Sequence, residues 1–382
     1  MSDERTGSAS VGAATVGAAR ATRISTDSAP ESEIAAGAAR PGVEIGLSAA
    51  VVAVADDTPL ILTMAATQAG GGEPAGVARP DPAEDGRVDA LPFGPFDPVQ
   101  HRTFEIGLRA WVEAQTALRL GYAEQLYTFG DRGRHARLGD TGPHVVSVGY
   151  LALTRKRPES DAALAREGAA FRPWYDYFPW EDWRGGRPAL IDEAILPALA
   201  DWAARPSSPT ETARGLGRPE RVRMCFGGEG ADGGDFDEEK ALERYELLYE
   251  AGLVREALRD GRPAALARPD RPFLGRSMRF DHRRILATAI SRLRSKLKYR
   301  PVVFELMGDS FTLTELQRSV EAIGGRHLHK QNFRRLVDQS DLVEATGETS
   351  LVTGGRPAQL YRFRRDVLSE RPAPGLRYGA RV

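Results

Sequence analysis

This chain of 382 residues contains one cysteine and no long apolar run, and its formal net charge is only −1. The single cysteine, Cys225, excludes an internal disulfide and suits a reducing compartment, so we interpret it as a small buried thiol. No apolar run reaches the roughly 20 residues that a membrane-spanning helix needs. Residues 1–40 contain almost no large apolar side chain, which predicts a disordered tail and not a signal segment. These absences favour a cytoplasmic protein with no membrane partner.

The small net charge conceals two parts of opposite sign. Residues 271–382 contain 22 Lys and Arg against 11 Asp and Glu, a net charge of +11. The preceding residues contain 30 against 42, a net charge of −12. Such a division indicates a basic module joined to an acidic one. The expected partner of the basic module is a polyanion.

The acidic part has the pattern of a mixed α/β fold. Residues 43–66 predict two strands joined by a turn at Asp56 and Asp57. Apolar residues at helical spacing predict a helix over residues 101–120. Two further strands are predicted over residues 124–131 and 144–154. The order β-β-α-β-β excludes an all-helical fold and favours the α/β (α+β) class.

No metal site is predicted. Asp235, Asp237 and Glu239 alternate as in a calcium-binding loop, but the glycine and the closing glutamate of such a loop are missing at the required spacing. His327 and His329 lie two residues apart with no cysteine or third ligand nearby, which does not suit zinc.

The basic part has the element order of a winged helix-turn-helix. Thr312 or Thr314 begins a first helix, and Glu315 completes a capping-box pattern with Thr312. Gly324 and Gly325 form the turn to a second helix, over residues 329–341, and two strands then close a hairpin.

The second helix divides into an apolar face and a polar face. Phe333, Leu336 and Val337 are predicted to pack against the first helix, leaving the basic side chains outside. Helices of this kind lie in the major groove of DNA, and a hairpin arginine suits a narrow minor groove. The predicted DNA-binding residues are Thr312, Thr314, Lys330, Gln331, Asn332, Arg334, Arg335 and, at the hairpin tip, Arg356. The alternative is a basic face that is only solvated.

Residues 91–131 resemble an altered Nudix box. That box consists of Gly, five residues, Glu, seven residues and Arg-Glu-x-x-Glu-Glu-x-Gly. The residues that fill the pattern here are, in order, Gly94, Gln100, Leu108, Arg109, Val112, Glu113 and Gln115. Arg109 and Val112 thus replace two of the metal-binding glutamates and Glu113 retains the third, so the charges at these three positions sum to zero.

The altered charges argue against hydrolysis. Nudix hydrolysis needs carboxylates on one helix face to hold Mg²⁺. A unit positive charge ~5 Å from a divalent ion, at an effective dielectric constant of ~20, repels it by roughly 6–7 kcal/mol. We therefore expect no catalytic residues, no metal and no required cofactor.

Together with the basic part, this box resembles the Nudix-related transcriptional regulators of NAD metabolism (NrtR-like, NadQ-type branch of the alphaproteobacteria). The resemblance covers residues 43–66, 91–155, 171–203 and 280–363. It implies a homodimeric repressor of NAD biosynthesis or salvage genes that binds a palindromic operator on double-stranded DNA and senses ADP-ribose, NAD or ATP. The side chains that we expect at the effector are Arg102, Arg109 and Glu113 near the box, and Tyr127 and Phe129 for stacking on a base.

The expected organisation is a Nudix-like mixed-sheet sandwich followed by a winged helix-turn-helix. The predicted limits are a disordered tail at 1–40, the effector-sensing domain at 41–203, a partly helical insert of unknown role at 204–279 and the DNA-binding domain at 280–382. Two alternatives stay open at this point. One is a Nudix hydrolase of ADP-ribose-like substrates that uses Glu105 or Glu113; the other is a nucleotide-binding scaffold that docks on RNA or on a protein.

Overall fold

A mixed sheet forms the centre of the computed structural model, and it contains seven strands among the residues that are described. The strands are β1 (Val43–Ala55), β2 (Thr58–Thr67), β3 (Arg87–Ala90), β4 (Phe93–Pro95), β5 (Tyr122–Phe129), β6 (His144–Leu153) and β7 (Ala169–Pro173). Their order is β3-β2-β1-β6-β5, with β4 also beside β1 and β7 beside β2. The β1–β6 pair is parallel and the other pairs are antiparallel. The predicted mixed α/β class is confirmed.

The structure describes most of the chain beyond the amino-terminal segment. The described residues are 42–67, 87–131, 133–134, 144–157, 159–206, 215–227, 236–268, 270–350 and 357–370. The predicted tail at 1–40, Asp235 of the acidic loop and Arg356 of the hairpin lie outside them.

The predicted turn between the first two strands is present. Asp56 and Asp57 have φ values of 48° and 57°, and the strands pair directly on either side of them, Ala55 opposite Thr58. Two successive residues with positive φ form the tight turn that matches the twist of a β-hairpin, and aspartate tolerates this conformation better than most residues.

Strand β1 is buried on both faces because helices cover both sides of the sheet. Leu47, Ala49 and Val51 point to the side covered by helices α1 (Phe104–Thr116) and α2 (Ser160–Arg166). Ala50 and Val52 point to the opposite side and join the larger core. Alternation of side chains along a strand accounts for this division.

The second side of the sheet is covered by one long helix and a set of shorter ones. These are α3 (Leu196–Ala203), α4 (Arg218–Phe226), α5 (Ala241–Glu250), α6 (Arg255–Arg259), α7 (Pro263–Leu266) and α8 (His282–Tyr299). Helix α8 packs on β1, β5 and β6 with one face and on α5 with another. The predicted insert at 204–279 is therefore part of this layer, which it completes with buried residues such as Tyr245 and Leu248.

The winged helix follows α8 through the short 3₁₀ helix Val302–Glu305. It consists of α9 (Leu313–Gly324), α10 (Lys330–Ser340), β8 (Val343–Ser350) and β9 (Ala358–Phe363), and α11 (Val367–Glu370) follows it. Phe333 and Val337 of α10 are buried and Leu336 is half-buried, which is the predicted apolar face. Phe311 exchanges two backbone hydrogen bonds with Tyr361 of β9, of 2.9 and 2.8 Å, so the segment before α9 is attached to the hairpin.

Pro41–Val382 is one compact unit. The predicted limits at 203 and 279 remain predictions, and α8, assigned to the DNA-binding part, packs on the sheet. In the described part of the chain, no helix combines the length and apolar character needed to cross a bilayer.

Candidate functional site

The first turns of α10 present a group of exposed polar and basic side chains. Five of the predicted DNA-binding residues are exposed there: Lys330, Gln331, Asn332, Arg334 and Arg335. Among the residues that the structure describes, none of these five side chains forms an ion pair or a side-chain hydrogen bond. These five side chains are therefore accessible to a partner outside the chain, as they are to solvent.

The turn before α10 is held by Glu321. Its carboxylate accepts hydrogen bonds from the backbone N–H of Leu328 (2.9 Å) and from the side chain of Gln317 (2.8 Å). It also lies 2.9 Å from Nδ1 of His327. Burial opposes ionisation of this carboxyl, but these hydrogen bonds outweigh it and lower the pKa of Glu321. A charged, many-bonded group at the turn fixes the direction in which α10 leaves α9.

The two threonines that were predicted to contact DNA, Thr312 and Thr314, have different surroundings at the start of α9. Thr312 is buried; its hydroxyl accepts from the Glu315 N–H (3.1 Å), while the Glu315 carboxylate accepts from the Thr312 N–H (2.7 Å). This is the predicted capping box. Thr312 therefore fits a helix-capping role better than a DNA contact, whereas Thr314 is exposed.

Two arginines at the end of the hairpin, Arg362 and Arg364, are paired with carboxylates. Arg362 lies 2.6 Å from Glu344 on the neighbouring strand, and Arg364 pairs with Asp341 and Asp366. They differ in this respect from the arginines of α10.

The residues of the box helix α1 at the three metal-ligand positions of the Nudix pattern all make contacts within the chain. The guanidinium of Arg109 contacts Glu105 at 2.8 Å and donates to the backbone oxygens of Leu120 and Gly121. Val112 is completely buried against the sheet. Glu113 pairs with Arg119 at 2.9 Å. Arg109 therefore holds the loop after α1 with most of its hydrogen-bonding capacity.

Two other box positions also have structural functions. The side-chain amide of Gln115 bonds both the N–H and the C=O of Phe93, at 3.2 and 2.6 Å. A Cβ atom on Gly94 would lie 2.3 Å from the ring of Trp111, so only glycine fits beside this indole. In the described part of the chain, no group of three or more His, Cys, Asp or Glu residues is arranged to hold a metal ion.

The remaining predicted effector residues have different surroundings. Arg102 is exposed before α1, and Tyr127 is 56% exposed on β5. Phe129 is only 7% exposed and belongs to the core beneath α8, where the guanidinium of Arg284 covers its ring. The prediction that Phe129 stacks on a base is not supported by this position, because Phe129 lies on the face of β5 that packs on α8.

Three comparisons bear on these surfaces. Residues 303–363 match the family described as the NrtR DNA-binding winged helix domain. The ADPR responsive transcriptional repressor NtrR of Acinetobacter baylyi is 48% identical over 84 residues, which are 22% of this chain and 33% of the relative. The chain thus matches about a third of that relative's length.

Solved structures match over a larger part of the chain at lower identity. The Shewanella oneidensis NrtR complexed with a 27mer DNA is 19% identical, with a TM-score of 0.46, covering 85% of this chain and 95% of that one. The NUDIX domain of the same protein complexed with ADP ribose is also 19% identical, with a TM-score of 0.26, covering 36% and 76%. The predicted resemblance to Nudix-related regulators is confirmed, and the winged-helix residues carry it.

Proposed function

We propose that this protein is a transcriptional repressor that binds DNA through α10 and responds to a nucleotide effector through its α/β part. The proposal rests on the five exposed side chains of α10 that form no ion pair or side-chain hydrogen bond with the described residues, in a segment that matches the NrtR winged helix family. The proposed targets are genes of NAD biosynthesis or salvage, as the family resemblance implies. A repressor of this kind acts in the cytoplasm.

The face of α10 offers both kinds of DNA contact. An α-helix fits the major groove, where arginine can pair with guanine, and asparagine or glutamine with adenine. Gln331 and Asn332 lie in the first turn of α10, the end that approaches base edges in helix-turn-helix proteins. Lys330, Arg334 and Arg335 supply cations for bases or phosphates. Thr314, in the first turn of α9, can donate a hydrogen bond from its hydroxyl to a phosphate oxygen.

We propose further that the active species is a homodimer on a palindromic operator. One chain presents one recognition helix, so a two-fold operator requires two chains related by a two-fold axis. The half-sites would be spaced by whole turns of the DNA helix. We also propose that Arg356, predicted at the tip of the hairpin, contacts the minor groove of the DNA.

Binding of purified protein to a labelled promoter fragment of an NAD gene tests the DNA-binding proposal. We expect Arg335→Ala to weaken binding to this fragment by about 1–3 kcal/mol if Arg335 contacts a base. Arg223→Ala is the matched control, because Arg223 is an exposed arginine of α4 whose removal changes the net charge equally. An equal loss on random duplex would identify a phosphate contact instead. No binding of the unmodified protein to such promoters at low salt would reject the proposal.

ADP-ribose is the first effector to test, because the Acinetobacter relative is named as ADPR responsive; NAD and ATP are the other candidates. We expect one of the three nucleotides to change the affinity for the promoter fragment. Titration of each into the protein–DNA complex, at constant salt, measures this effect. An affinity that none of them alters would reject nucleotide sensing while leaving DNA binding intact.

We propose that the box helix no longer supports Mg²⁺-dependent hydrolysis. Arg109 occupies a metal-ligand position of the Nudix pattern, and Glu105 and Glu113 are each paired with an arginine. Hydrolysis of ADP-ribose-like substrates is the alternative function. Release of AMP from ADP-ribose with Mg²⁺, abolished by Glu113→Gln, would favour the alternative.

A further inference from the structure

A cleft opens where the loop after α1, the end of β6 and the 3₁₀ helix Val302–Glu305 meet. Its volume is about 550 Å³, within the range of small-molecule sites. Residues 117–119 and Gly121 form one wall, residues 153–155 and Arg157 form another, and Ser160 and Glu305 complete the lining. The cleft therefore lies between the α/β part and the 3₁₀ helix that leads into the winged helix.

Three arginines and one carboxylate line this arginine cleft: Arg119, Arg155, Arg157 and Glu305. Two of the arginines have carboxylate partners at its margin. Arg119 pairs with Glu113 at 2.9 Å, and Arg155 pairs with Asp309 at 2.8 Å. The neighbouring Lys156 is paired with Asp161. The lining itself sums to +2, and the carboxylates of Glu113 and Asp309 at the margin pair with two of its arginines.

The two marginal ion pairs are easily exchanged. Asp309 is 93% exposed and Arg119 is 87% exposed, and ion pairs of such groups contribute about 0–1 kcal/mol. The side chain of Arg157 forms no ion pair with the described residues. A diphosphate can therefore displace the carboxylates at small cost and gain bidentate hydrogen bonds from guanidinium groups.

We infer that the arginine cleft binds the diphosphate of the nucleotide effector, with Arg155 and Arg157 as its principal partners. This assignment rests on the proposed function, because it places the effector of that function. In this assignment Arg109 does not contact the effector, although the sequence had predicted such a contact. Its guanidinium binds the carbonyl oxygens of Leu120 and Gly121 and so fixes the loop that forms one wall of the cleft.

The same geometry connects the cleft to the DNA-binding part. Asp309 stands two residues before Phe311, whose backbone pairs with Tyr361 of the hairpin strand β9. A diphosphate on Arg155 takes the place of Asp309 and releases this segment from the end of β6. The winged helix thereby loses one of its contacts with the α/β part. Because coupling is reciprocal, DNA and effector then influence each other's affinity by the same factor.

Calorimetric titration of ADP-ribose, ADP and inorganic pyrophosphate into the full chain tests the assignment. We expect Arg157→Ala to weaken the binding of all three at least tenfold, and Arg155→Ala to do the same. Arg223→Ala, on α4, is the control for lost charge. Arg157 is exposed, so the thermal unfolding temperature of Arg157→Ala should equal that of the unmodified protein.

Asp309→Asn tests the connection separately. It removes the competing carboxylate, so we expect equal or tighter binding of ADP-ribose and a loss of the effect of ADP-ribose on DNA affinity. Unchanged regulation in Asp309→Asn would overturn the role of Asp309.

The outcomes for the cleft and for the proposed function are distinguishable. ADP-ribose binding that is unchanged in Arg155→Ala and Arg157→Ala would overturn the cleft while leaving the sensor intact. Pyrophosphate and ADP binding that depends on Arg157, without binding of ADP-ribose, would support the cleft and reject ADP-ribose as the effector. If none of the three compounds binds, the cleft assignment is wrong, and the promoter measurements still decide on DNA binding.

Discussion

Replacing Glu181 with glutamine should remove much of the stability of the protein. Glu181 lies in the 3₁₀ helix Pro179–Glu181 between Arg244 of α5 and Arg294 of α8, and all three side chains are 0–2% exposed. Its two oxygens are 2.5 Å from Nε of Arg244 and from Nη1 of Arg294. Burial favours the neutral acid, but the two arginines outweigh it and lower the pKa of Glu181.

Glu181→Gln keeps the shape but leaves two buried guanidinium groups without a counter-charge. Removing one partner of a buried ion pair costs about 3–5 kcal/mol, a large share of the ~5–15 kcal/mol of a typical domain. Urea unfolding followed by tryptophan fluorescence measures the change, because Trp180 is buried beside Glu181. Agreement with unfolding followed by circular dichroism establishes that one transition is observed.

Glu344→Gln is the matched control. Glu344 pairs with Arg362 at 2.6 Å on the exposed hairpin, where the same substitution should cost about 0–1 kcal/mol. Two results would refute the reasoning: a loss below about 1 kcal/mol in Glu181→Gln, or an equal loss in the two variants. Either would show that burial does not increase the contribution of the Glu181 carboxylate to the free energy of unfolding.

Two further predictions concern a glycine and a buried carboxyl. Gly325 has a φ of +74°, and a Cβ atom there would lie 2.4 Å from the Glu181 carbonyl oxygen; Gly325→Ala should therefore lower the unfolding temperature more than Gly347→Ala, where φ is +83° but no atom lies within 4 Å. Burial raises the pKa of Asp281 from 3.8 to about 7, although two arginines oppose the shift. The charged groups around it are Arg134, Arg284 and Glu246. Because the folded protein retains this proton while the unfolded chain loses it, stability should fall by up to about 1.4 kcal/mol per pH unit from pH 4 to 7 and then level off. Asp281→Asn should flatten this fall in urea unfolding at pH 5, 6 and 8, and an unaltered profile would contradict the assignment.

The elements that the sequence predicted correctly are those fixed by local patterns. The turn at Asp56 and Asp57, the capping box of Thr312 and the apolar face of α10 all depend on residues a few positions apart. Side-chain periodicity and turn chemistry act over that distance, so a single sequence contains the information.

The parts that were missed depend on distant residues. Glu181 and its partners Arg244 and Arg294 are separated by 63 and 113 positions, and charged residues in a sequence suggest a surface until their partners are known. Phe129 was expected to stack on a base of the effector. The sequence of β5 does not reveal that α8, which is more than 150 residues further along the chain, covers the face on which Phe129 lies. Arg155 and Arg157 lie between a buried strand and a short helix, where nothing local indicates a cleft.

Helix α8 connects the α/β part to the winged helix, and this connection limits where an effector can act. Lys296 of α8 binds Glu124 of β5, while Nε of Arg294 donates to the backbone oxygen of Ile323 in α9, at 2.8 Å. Moving α9 as a whole would disturb the buried charges around Glu181, a change of several kcal/mol. Releasing Asp309 from Arg155 disturbs only an exposed ion pair. An effector with ordinary coupling energy, about 1–3 kcal/mol, can bring about the second change and not the first. We therefore expect regulation to displace the segment around Asp309 and the hairpin, while α9 keeps its position on α8.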